Sequence, residues 1–239
     1  MSSPQSPSKR GLRIGLTGGM GCGKSTVAGI FRELGFGVLE SDVLVRELWE
    51  SDEELKAAAV KRWGTRIVEP GAGSEERGVA NSTLHTAHST LAVPGSPLPA
   101  SGSPLQISRR KVAEVVFGDA TELEWLENLL HPKVRARWQA AVETEPHRDW
   151  VVEIPLLFEK NLASEFDLTL CIASSPELQA ARLAKRGLTP AEVAARQARQ
   201  WPLREKIERA DWVVLNDGSL DFLHRQLVQF IAGMRVSPT

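Results

Sequence analysis

Residues 18–26 read GGMGCGKST and restrict the possible folds more than any other stretch. They match G-x-x-x-x-G-K-[ST], with Gly18, Gly23, Lys24 and Ser25 at the fixed positions. The flanks agree. Residues 12–16 carry apolar Leu12, Ile14 and Leu16 and predict a short strand. Residues 25–34 place Val27, Ile30, Phe31 and Leu34 at helical spacing. Strand, glycine loop and helix in that order is the setting of a phosphate-binding loop. Glycines let such a loop turn tightly and aim successive backbone N–H groups inward. The helix that follows directs the positive end of its dipole at the same point. Lys24 adds a mobile cation for the outer phosphates, and Ser25 offers a hydroxyl to a bridging Mg2+.

Composition narrows the class. The chain has 239 residues, 42% hydrophobic and 25% charged, as is ordinary for a soluble globular protein. A formal net charge of -1 argues against a dominant nucleic-acid surface. The two cysteines, Cys22 and Cys171, suit a reducing compartment and lack metal-ligand spacing. No apolar run is long enough to span a bilayer, and no hydrophobic signal segment precedes residue 11. A cytoplasmic protein with no membrane partner is expected. Nothing in the sequence predicts the oligomeric state.

Taken in order, residues 1–10 are rich in Ser and Pro and predict a disordered tail. A second strand over 37–39 runs into Glu40, Ser41 and Asp42 and then a helix. Asp42 thus stands at a strand end, where ligands bind in parallel α/β sheets, and also where an aspartate caps a helix. Helices are predicted over 51–63, 108–117 and 120–142, the last interrupted at His131-Pro132. Residues 69–105, crowded with Gly, Ser, Pro and Thr, read as a disordered insertion carrying His85 and His88. Further strands are expected at 150–154, 167–172 and 212–215, with helices at 176–186, 189–200 and 220–234. Alternating strands and helices imply a parallel sheet.

The residues by themselves therefore predict a P-loop nucleotide-binding protein: a kinase, an NTPase or a nucleotide-sensing switch. Asp42 favours a kinase, because it is placed to take a proton from an acceptor hydroxyl. The arginine-dense stretch 182–209 favours it too, since arginines stabilise charge on a transferring phosphoryl group.

At this point the chain resembles the dephospho-CoA kinase family. IGLTGGMGCGKSTVAGIFRELG is similar to that family's opening. VLESDVLVREL resembles its D-A-D motif, with the second acid at Asp42 and Glu40 in place of the first. VFGDATELEWLENLLHP, ending in His131 and Pro132, resembles a second segment, and EIPLLFE from Glu153 to Glu159 a third. QARQWPLREKIERADWVVLNDGSL resembles the closing segment, with Gln200, Lys206, Ala210, Asp211, Asn216 and Gly218 in register. The likeness covers most of residues 12–223. Departures are Glu153 in place of an aspartate, Leu215 in place of an acid, the 69–105 insertion and a shortened segment near Gly187.

The resemblance implies a P-loop NTPase-type three-layer α/β sandwich with a central, mainly parallel five-stranded sheet. A single kinase domain over 11–235 would include a helical acceptor-binding part (43–147) and a helical lid (182–205). The implied activity is ATP-dependent phosphorylation of the ribose 3′-hydroxyl of dephospho-CoA. ATP would bind on Gly18, Gly21, Cys22, Gly23, Lys24, Ser25 and Thr26, with lid arginines Arg182, Arg186 and Arg196. Mg2+ would be held by Ser25 and Glu153. Asp42 would act on the acceptor hydroxyl with Lys24 on the phosphates, and His131 would support the acceptor pocket. Rival readings are another small-molecule or nucleoside-monophosphate kinase, a non-enzymatic NTP-binding regulator and, more remotely, an RNA-associated NTPase.

Overall fold

The computed structural model describes residues 10–69 and 106–236. Residues 1–9 of the predicted tail, nearly all of the predicted insertion, and His85 and His88 lie outside these, whereas Arg10, the tail's last residue, pairs with Asp167. Five strands form one sheet: β1 (Arg13–Gly18), β2 (Gly37–Glu40), β3 (Trp150–Glu153), β4 (Leu168–Ala173) and β5 (Trp212–Leu215). Their order is β2-β3-β1-β4-β5, and all four pairings are parallel. The central strand is the one that feeds the glycine loop. The chain leaves β1 toward one edge and later returns to its other side at β4. That reversal opens a crevice at the carboxyl ends of the strands.

Helices cover both faces of the sheet. Ile14 and Leu16 on β1 join a core with Val27, Ile30 and Phe31 of α1 (Lys24–Glu33) and Leu223, Leu227 and Phe230 of α9 (Leu220–Val236). Phe31 packs edge-on against Phe36 at 5.1 Å and Phe230 at 6.3 Å. Gly15, which points to the other face by the two-residue pleat, is covered by Phe166 and Leu157. Trp138 of α5 (Ala120–Thr144) stacks on Phe166 at 5.2 Å. Strands buried on both faces read as near-continuous apolar runs. This explains why β3, all buried, shows no alternation.

The remaining helices are α2 (Ser41–Ser51), α3 (Glu53–Trp63), α4 (Arg109–Gly118), α6 (Pro176–Lys185), α7 (Pro190–Gln197) and α8 (Leu203–Arg209). The chain divides into two compact units, residues 1–48 with 131–239, and residues 49–130. The second is helical. Asp52 caps α3 by accepting the Leu55 N–H at 2.8 Å. Trp63 is buried and donates its indole N–H to Glu122 at 2.6 Å. Val68 and Ile107 form an antiparallel bridge, reinforced by Ser108 N–H to Ile67 O at 2.8 Å and Glu69 N–H to Gln106 O at 2.9 Å. This clip holds together the two ends of the segment between them.

Three expectations need correction. Pro132 does not break its helix: α5 runs unbroken from Ala120 to Thr144. An internal proline costs about 3 kcal/mol. Burying Val134, Trp138 and Val142, four apart on one face, recovers more than that. The predicted helix 189–200 stops at Gln197, and α8 follows where no helix was expected. β1 continues to Gly18, two residues beyond the predicted strand.

Gly37 on β2 leaves almost no room for a side chain. A Cβ there would sit 2.4–2.6 Å from the Trp150 ring, which is buried and pinned by its own N–H to Glu145 O at 3.3 Å. Gly37→Ala is expected to destabilise the protein by about 1–3 kcal/mol through overpacking. Urea unfolding should show a lowered midpoint with an unchanged slope.

Candidate active site

The phosphate loop joins β1 to α1. Two of its glycines have positive φ, +75° at Gly21 and +92° at Gly23, a conformation that L side chains rarely adopt. Gly23 is the N-cap of α1 and uses no side-chain cap. It leaves the amide end of the helix open, and its carbonyl accepts from Thr26 and Val27. A Cβ on Gly23 would lie 2.2 Å from Asn216 Nδ2. The loop is therefore packed from behind as well as turned.

That backing is a polar network. Asn216 Nδ2 donates to Cys22 O at 2.8 Å. Arg182 Nη1 donates to Gly21 O at 3.1 Å and to Ser174 Oγ at 2.8 Å, while its Nη2 reaches Asn216 O at 2.7 Å. Ser174 Oγ donates to Asn216 O at 2.9 Å. Drawing the loop carbonyls into the protein turns the neighbouring N–H groups outward, which makes an anion nest. Ser25 and Thr26 are exposed at its rim.

Lys24 is partly buried, and its Nζ donates to Gly18 O and Gly19 O, each at 3.2 Å. Burial lowers its pKa, Glu153 and Asp42 raise it, and Lys206 lowers it. Glu153 closes β3 in register with Leu16 of β1 and Glu40 of β2. It is 8% exposed. Burial lifts its carboxyl to about 7, against the pull of Lys24 and with the push of Asp42 and Glu40. Asp42 is exposed in the first turn of α2, immediately past β2. Ser41 anchors that turn, donating to Glu153 O at 2.6 Å. The ends of three adjacent strands, about 5 Å apart, thus bring Asp42, Glu153 and Lys24 to one side of the sheet. There Lys24 and Glu153 act on each other electrostatically, and the charge of Asp42 acts on both.

The other predicted residues divide. Gly18, Gly21 and Gly23 shape the loop. Cys22 is fully buried and its N–H donates to Gly19 O at 3.3 Å, so its contribution is through its carbonyl. Burial also raises its thiol pKa. Arg186 ends α6 and its charge is felt at Glu153. Arg182 lies on α6 behind the loop, bonded to carbonyls. Arg196 is in the last turn of α7, and His131 is half-buried within α5. Neither is among the groups acting most strongly on Lys24 or Glu153. Sequence reasoning gave no role to Ser174 or Gln179. Asn216 was noted only for its register, and all three brace the loop. Gln179 Nε2 donates to Ser174 O at 2.7 Å. Among the described residues, no group of three or more His, Cys, Asp or Glu is placed to hold a metal.

Comparison with known proteins places this geometry in a family. The family model described as "CoaE: Dephospho-CoA kinase" matches residues 12–91 and 101–221. A dephospho-CoA kinase of Synechococcus sp. (strain CC9902) is 36% identical over 220 residues, 90% of this chain and 93% of the relative. The crystal structure of TT1252 from Thermus thermophilus is 31% identical, with a TM-score of 0.69 over 96% of this chain and 100% of that one. Dephospho-CoA kinase from Campylobacter jejuni, 23% identical with a TM-score of 0.56 over 93% of this chain and 96% of its own, shares the fold. The chain belongs to the dephospho-CoA kinase family and is an ATP-dependent phosphotransferase with dephospho-CoA as acceptor.

Proposed function

We propose that ATP rests its phosphates on the nest at residues 21–26, with Asp42 facing the terminal phosphate across the strand ends. The observation that carries this reading is the placement of Asp42, Glu153 and Lys24 at the carboxyl ends of the adjacent strands β2, β3 and β1. Asp42 would accept the proton of the ribose 3′-hydroxyl of dephospho-CoA, or orient it, as that oxygen attacks the γ-phosphorus. Lys24 would exchange its two long bonds to Gly18 O and Gly19 O for phosphate oxygens. A groove of ≈ 400 Å³ beside α1, lined by Ser25, Thr26, Gly29, Ile30, Asp221 and His224, suits the nucleoside end. Arg186, just past α6, and Arg196, on α7, would approach the phosphates as that segment closes. His131 is assigned to the acceptor side.

The residues present fit a Mg2+ ion. Glu153 is a buried carboxylate crowded by two further acids, and a divalent cation relieves that crowding. Magnesium binds through one or two protein oxygens plus substrate phosphates, and Ser25 and Glu153 supply that kind of donor. When bound, the ion neutralises charge on the β- and γ-phosphates. Among the described residues, no helix is long and apolar enough to cross a membrane. We assign the protein to the cytoplasm.

ATP consumption measured with and without dephospho-CoA is expected to show acceptor-dependent turnover. Nucleoside monophosphates should not substitute. Asp42→Asn and Lys24→Ala should each lower kcat/KM by about 100-fold or more. Near-normal kcat in Asp42→Asn would overturn the base assignment.

Glu153 gives a pH signature. Its pKa in the folded protein is raised, so its contribution to stability is complete below about 4.5 and is lost as pH rises through about 7. Glu153→Gln should therefore melt progressively above the wild type, by several degrees, as pH goes from 5 to 8. Only the carboxylate serves Mg2+, so Mg·ATP binding should release a proton near pH 7 and weaken below it. Calorimetry in buffers of different ionisation enthalpy reads this release, and Glu153→Gln should abolish it.

A further inference from the structure

Glu159 and Lys206 both stand in segments that mark the family, yet neither has a hydrogen bond to the phosphate loop, Asp42 or Glu153. The side chain of Lys206, on α8, is 0% exposed, and its Nζ lies 2.8 Å from Glu159 Oε1. Nζ also donates to Pro155 O at 2.6 Å. The same Glu159 oxygen accepts the N–H of Trp201 at 2.8 Å. Trp201 lies in the short connection from α7 to α8, and Pro155 lies just past Glu153. One buried ion pair thus ties the base of the arginine-bearing α7 to the backbone that leaves β3.

Stability does not account for it. Replacing a buried ion pair with neutral groups of similar volume is often neutral or stabilising. This pair is also incompletely satisfied: Glu159 Oε2 is buried and, among the described residues, has no hydrogen-bond partner. A half-satisfied polar group in a core is costly. The positive charge of Lys206 reaches Lys24 and lowers its pKa. Thr17 of β1 and Lys206 share the Pro155 carbonyl, so the buried pair lies against the strand that feeds the phosphate loop.

We propose that Lys206 and Glu159 are positioning residues. Their ion pair fixes the base of the α7 lid against the strand end that carries Glu153, so that the closed lid meets the phosphates in the reactive register. Neither residue touches substrate. The inference rests on the kinase reading given above and on α7 serving as the lid.

The test is the neutral pair Glu159→Gln/Lys206→Met, which keeps both volumes and the acceptor for the Trp201 N–H. It is expected to melt within a few degrees of the wild type. Its kcat should fall about tenfold or more, with KM for ATP and for dephospho-CoA within threefold. A folded double variant with kcat within twofold of the wild type overturns the proposal. So does one in which KM for ATP rises tenfold while kcat is unchanged. Should the double variant fail to fold, Glu159→Gln alone decides: a kcat reduced at least fivefold supports the clamp, and one within twofold overturns it. Absence of acceptor-dependent turnover in the wild type would instead strike the kinase reading itself.

Discussion

The hydrogen bond from Asn216 to the carbonyl of Cys22 is the constraint on which the site depends. A peptide group carries a donor and an acceptor at opposite ends, so fixing one end aims the other. With Cys22 O and Gly21 O held from inside by Asn216 and Arg182, the loop is set before any ligand arrives. Donors placed in advance need little reorganisation when negative charge comes in, and that is where electrostatic catalysis gains most. The two left-handed glycines permit this shape, and the bonds behind the loop select it. Strands β4 and β5 matter here because they deliver Ser174 and Asn216 to the back of the loop.

The same end of the sheet concentrates charge that the free protein holds at a cost. Lys24 and Glu153 are both forced toward their neutral forms by burial, and each partly relieves the other. Groups whose surroundings oppose their charge are common at reactive sites. Here the opposition has a direction. In the proposed reading, incoming phosphates would favour the ammonium of Lys24, and a divalent ion would favour the carboxylate of Glu153. Nucleotide and metal would thus each remove a penalty set by the fold itself.

Much of this was legible in the sequence because it is local. The glycine loop, the strand before it and the helix after it lie within two dozen residues, and turn chemistry there leaves few alternatives. Asp42 was legible by its position past a short strand. The five strands could be located from apolar runs, but β2, β3 and β1 fall side by side only through long-range pairing, which no local pattern reports. The role of Arg182 was not legible for the same reason. As one of several arginines on a helix it resembles a lid residue, and only the fold shows carbonyls at its guanidinium. Pro132 misled because a residue preference was weighed without the buried face that overrides it. Helix α8 was missed because it is short and its central Lys206 is a charged residue turned inward, against the usual pattern.

The small antiparallel clip at Val68 and Ile107 has an entropic corollary. Once two points of a chain are fastened together, the entropy of what runs between them grows only with the logarithm of its length. Each doubling costs about 0.6 kcal/mol. The bonds at Glu69 and Ser108 therefore keep the short 3-10 turn Gly64–Ile67 and the start of α4 in registration whatever length of chain joins them.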